Sequence, residues 1–170
     1  MTDEESFELK PIRREAVPAA LEKAEHYRLL NQPGAAESIC RDVLRVDPDN
    51  QRAIITLMLS LTDQFGRPGR WRVGDARVIA EQIASEYEKS YYHGLISERA
   101  GKAELQRGGP SAEPAAHNWL REAMGWYEKA EDLRPPGNDD AILRWNACAR
   151  ILRDRRMSPR VEDRLEHPIE

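Results

Sequence analysis

This sequence has little of what most active sites require. It holds two cysteines, Cys40 and Cys148, each among the apolar positions of a predicted helix. That placement suits small core side chains better than a disulfide or a metal pair. The four histidines, His26, His93, His117 and His167, are scattered, and none stands at a metal-ligand spacing from a cysteine or another histidine. The glycine-containing stretch 66–74 lacks the lysine and hydroxyl sequel of a phosphate-binding loop, and Ser38, Ser60 and Ser97 lack the flanking glycines of a nucleophile elbow. No apolar run approaches the ~18 residues needed to cross a bilayer, and the first ten residues have neither a basic segment nor an apolar one. A cytoplasmic protein without membrane contact is therefore expected. Charge of one sign is missing too: a net charge of −4 advertises no partner, so any basic surface must be local. The expectation is a non-enzymatic chain with no cofactor and no metal.

What the sequence does have is helical periodicity. With 40% hydrophobic and 33% charged residues in 170, it can bury a core and remain a folded chain. Residues 1–16 carry both charges without a sustained period and are expected to be a flexible leader, with Phe7, Leu9 and Ile12 available to cover an end of the core. From Pro18, Leu21, Ala24 and Tyr27 form one apolar stripe, and Asn31, Gln32, Pro33 and Gly34 break it. Ala36, Ile39, Cys40, Val43 and Leu44 form the next stripe, which ends at Asp47 and Pro48, with Asn50 placed to cap a third helix over 50–64. Two helices joined by so few residues form an antiparallel hairpin. Further helices are expected over 75–88, 90–106, 114–133 and 139–153, giving seven, followed by a charged tail over 154–170. Four tryptophans are present, of which two or three are expected in the core.

The even-numbered helices share a pattern. Ala36, Cys40, Val43 and Pro48 are separated by four, three and five positions, and so are Ala123, Tyr127, Ala130 and Pro135. Ala76, Ile79, Ala80 and Ile83 repeat the first part between them. Together with the 34-residue length of 17–50, this resembles the tetratricopeptide repeat family, in which a small-large-small series and a closing proline mark the second helix of each repeat. Ala24 and Tyr27 match the first helix of the repeat, whereas Ala20 and Lys23 depart from its usual residues, and Glu88 stands where the middle copy should have proline. Gly94 matches the close-packing glycine of the third copy. The resemblance spans 17–153 and implies an all-α solenoid of about three antiparallel hairpins with a C-terminal capping helix. A single hairpin cannot bury its own apolar face, so the same stacking follows from physics alone.

That resemblance also implies that the first helix of each hairpin lines a concave groove for a protein or peptide partner. Arg28, Arg52, Asp63, Arg99, Asn146 and Arg150 are its candidate residues, the last two one helical turn apart. Glu25, Leu59 and Leu95 occupy places where the carboxylate-clamp subclass has lysine or asparagine, so that subclass is not assigned. A second candidate is the arginine-rich loop between the third and fourth helices, where Arg67, Arg70, Arg72 and Arg77 surround Trp71. Arginine beside an aromatic ring suits phosphate or base stacking, so nucleic acid is the alternative partner. His93, near Tyr91, Tyr92 and Glu98, is the one cluster with acid–base potential. A monomer or homodimer is expected.

Overall fold

The computed structural model describes residues 6–69 and 72–157. Among them are a short 3-10 turn, Arg14–Ala16, and seven α-helices: α1 Val17–Leu29, α2 Pro33–Val46, α3 Gln51–Thr62, α4 Val73–Ala80, α5 Glu86–Arg107, α6 Ala112–Leu133 and α7 Asp140–Asp154. No strand occurs among the described residues. Each helix packs on its neighbour in sequence, and α1 with α3, and α3 with α5, also meet directly. The result is a row of hairpins, α1/α2, α3/α4 and α5/α6, with α7 laid against α6 at the end.

The turn chemistry accounts for these boundaries. Asn31 adopts a left-handed φ of 57° between α1 and α2, a conformation asparagine tolerates, and Pro33 opens α2, where its missing N–H costs nothing. Asn50 caps α3 as expected: its side-chain oxygen accepts from the Ala53 N–H at 2.9 Å, an arrangement worth about 1 kcal/mol. Leader and core divide at Ile12, which packs partly against Val17, Leu21 and Val43, whereas Phe7 and Leu9 are 80% and 68% exposed and cover nothing.

The small-residue stripes are buried as the repeat pattern requires. Ala36, Cys40, Val43, Ala76, Ala80, Ala123, Tyr127 and Ala130 have no solvent exposure. Burial pushes both the Cys40 and Cys148 thiols up to about 12, which keeps them protonated packing groups. Gly94 allows the closest approach: a Cβ there would lie 2.6 Å from the Tyr127 ring, so α5 and α6 can meet only with glycine at this position.

Two expectations need correction. The fourth helix does not run over 75–88 but stops at Ala80, and α5 begins at Glu86. Gln51 of α3 captures the intervening backbone, accepting from the Ala84 N–H at 2.9 Å and donating to the Gln82 carbonyl at 3.4 Å, and Ser85 then caps α5 through the Glu88 N–H. A side chain from another helix thus supplies what continued helix would have supplied. Ile83 stays buried even so. The tryptophans are also less buried than expected. Trp119, Trp126 and Trp145 are all half-buried: Trp119 and Trp145 pack at the rim of the core, Trp126 stacks on His93, and the Trp145 indole donates to Glu128 at 3.0 Å.

Candidate functional site

The odd-numbered helices share one face, and two carboxylates organise it. Asp63, just past the end of α3, receives Arg28 of α1 through Nε at 2.7 Å and Nη2 at 3.2 Å, a two-pronged contact. Arg99 of α5 donates from Nη1 to the same carboxylate at 2.7 Å and to the Thr62 hydroxyl at 2.5 Å. Glu98, the neighbour of Arg99 on α5, is buried. Its Oε2 accepts from the Tyr127 hydroxyl at 2.6 Å, and its Oε1 from Lys102 at 2.5 Å and Arg144 of α7 at 3.3 Å. Three helices, α5, α6 and α7, therefore converge on one carboxylate.

Electrostatics joins the two clusters. Burial works against the charge of Arg144, but the Tyr91 hydroxyl and Glu98 outweigh it and hold the guanidinium above its ordinary value. Burial also pushes the Tyr127 hydroxyl up, and the Glu98 charge beside it adds to that, so Tyr127 is a donor at any working pH. Tyr92 lies on the same helical face as Arg99, two turns earlier, within electrostatic range of Arg28 and edge-on to Tyr91.

Of the groove residues expected from sequence, Arg28, Asp63 and Arg99 come together. Arg52 does not join them: it grips Glu25 through both oxygens, at 2.7 and 2.8 Å, on the exposed edge of α1 and α3. Asn146 and Arg150 lie about 200° and 240° around α7 from Arg144, at about 100° per residue, and so face away from the cluster. Arg144 and Lys102 were not singled out from the sequence, and Glu98 was named only beside His93. The Glu98 and Lys102 spacing of four was visible in the sequence, but nothing in the sequence marked Arg144 as the arginine of α7 that turns inward.

The arginine-rich loop is divided. Arg67 is exposed, and Arg70 and Trp71 lie outside the described residues. Arg72 is tied to Glu37 at 2.8 Å and to Asp75 at 3.2 Å, and Arg77 to Glu122 at 2.7 Å while stacking over Trp119 at 5.3 Å. His93 does not assemble with Glu98. Its Nε2 shares a hydrogen bond of 2.6 Å with Glu81, and its ring stacks on Trp126 at 4.6 Å. Among the described residues, no group of three or more histidine, cysteine or acidic side chains is disposed to hold a metal ion, and no helix is long and apolar enough to cross a membrane.

Fold and site thus define an all-helical protein built of sequential hairpins, with a charged seam where its odd-numbered helices meet. No protein-family model, curated protein or solved structure matches the chain.

Proposed function

We propose that this chain is a non-enzymatic interaction module of the tetratricopeptide-repeat kind, which receives an extended partner segment in a groove along α1, α3, α5 and α7. The observation that carries this reading is the seam itself. Arg28, Asp63, Tyr92, Arg99 and Arg144 come from four separate helices, lie on one face and retain partial exposure. A row of polar and aromatic groups spaced along parallel helices suits recognition of an extended peptide, where side-chain anchors repeat along the ligand. The arginine-rich loop supports a nucleic-acid reading less well, since Arg72 and Arg77 already hold carboxylates.

Selection of displayed random peptides of about 12 residues on the immobilised full chain tests the reading, since a segment of that length spans a solenoid groove. Amide chemical-shift mapping of an enriched peptide should move Arg28, Asp63, Tyr92, Arg99 and Arg144. Shifts confined to α2, α4 and α6, or no enriched peptide at all, would overturn it.

A further inference from the structure

Arg99 differs from the other arginines in what its partners leave uncompensated. Arg52 and Arg72 sit above their ordinary values because neighbouring acids outweigh burial, and Arg144 because the Tyr91 hydroxyl and Glu98 do. For Arg99 the balance reverses: burial first, then the like charges of Arg28 and Arg144, outweighs Asp63, and the value falls. A guanidinium does not lose its proton in water at any working pH, so the shift records a cation held in a mostly buried place beside two like charges.

The charge count around it agrees. Arg28, Arg99, Lys102 and Arg144 surround only Asp63 and Glu98, four cations to two carboxylates. Glu25 lies within electrostatic range of Arg28 and Glu88 within range of Tyr92, and Glu25 is already held by Arg52. Among the described ion pairs, Arg99 and Arg144 have only Asp63 and the buried Glu98 as carboxylate partners. Both hydrogen bonds of Arg99 leave from Nη1, so among the described residues its Nε and Nη2 meet no acceptor, and its side chain is 28% exposed.

We propose that the partner segment is acidic, with a carboxylate seated on Arg99 between Arg28 and Arg144; this deepens the groove reading above and rests on it. A planar carboxylate matches the open edge of a guanidinium and supplies the charge the seam lacks. A nucleic-acid backbone suits the place less well, because the open edge of a single arginine takes one anionic group and not a run of phosphates.

The test uses the folded full chain and fluorescence anisotropy with labelled octaglutamate, its octaglutamine counterpart and an oligothymidylate of about 12 nucleotides. Octaglutamate should bind about tenfold or more tighter than octaglutamine, weaken as salt rises, and lose about tenfold on Arg99→Gln, with partial recovery in Arg99→Lys. Arg45→Gln, on the exposed side of α2, should change it by no more than about twofold. Equal binding of octaglutamate and octaglutamine, while displayed peptides still map to the odd-numbered helices, removes the acidic partner and leaves the groove. Failure of both peptide experiments removes both proposals. Oligothymidylate binding tighter than octaglutamate, and lost in Arg99→Gln, overturns the peptide in favour of nucleic acid.

Discussion

Asp63 and Glu98 each gather two cations, yet they do opposite things. Glu98 is buried, with a side chain 1% exposed, and its third ligand is the hydroxyl of a wholly buried tyrosine. Asp63 is 22% exposed, and its two arginines come from α1 and α5, each of which packs on α3. At Glu98 the carboxylate is an obligatory acceptor inside the joint between α5, α6 and α7. At Asp63 it is a brace across an open seam. Burial decides which role a cation-rich carboxylate takes, because only in the dry site is an unpaired polar group expensive.

The sharpest way to break that contrast is Glu98→Ala. It orphans the Tyr127 hydroxyl and leaves a void beside it, and should cost about 3 kcal/mol in urea unfolding. Lys102 and Arg144 are 44% and 40% exposed and can turn to solvent, so their loss adds little. A cost under about 1 kcal/mol would mean that the joint is held by apolar packing, with Glu98 a passenger.

Asp63→Asn should behave differently. Its cost is expected at about 1 kcal/mol, the scale of a partly exposed ion pair. By releasing Arg28 and Arg99 it should also tighten octaglutamate binding several-fold. If the variant instead unfolds as readily as Glu98→Ala, the seam is a structural element and the distinction between the two carboxylates fails.

Glu37 offers a smaller measure, away from both. Burial opposes its charge, but Gln64, Arg41 and Arg72 donate to it and hold its carboxyl below the usual value. A depressed carboxylate contributes stability above its unfolded value, about 4.3, and loses it as pH falls through the lower folded value. Glu37→Gln should therefore destabilise by about 1 kcal/mol at neutral pH. The gap from the parent chain should close on acidification, as read from melting temperatures between about pH 7 and pH 3. A gap independent of pH would show that the contact with Arg72 acts through shape rather than charge.

Much of the fold was legible because it rests on local signals. The apolar period, Asn50 as a cap and the alanine stripes at 36, 76 and 123 needed no tertiary knowledge. Gly94 was expected to be a close-packing position, and a Cβ there would lie 2.6 Å from the Tyr127 ring. The end of α4 was not legible, because Gln51, a residue distant in the chain, takes the backbone groups that would have extended the helix. The site was half legible for a related reason. Arg28, Asp63 and Arg99 follow from facing helices, but selecting Arg144 over Asn146 and Arg150 requires the rotation of α7, which is set by how it packs on α6.

The sequence alone thus determined an all-helical chain, the order of its hairpins and which small residues lie between them, since periodicity and turn chemistry act within a few residues. Only the tertiary structure decided which charges meet. Ion pairs such as Arg28 with Asp63 and Glu98 with Arg144 join positions 35 and 46 residues apart, and their partners are chosen by helix rotation and burial rather than by any spacing along the chain.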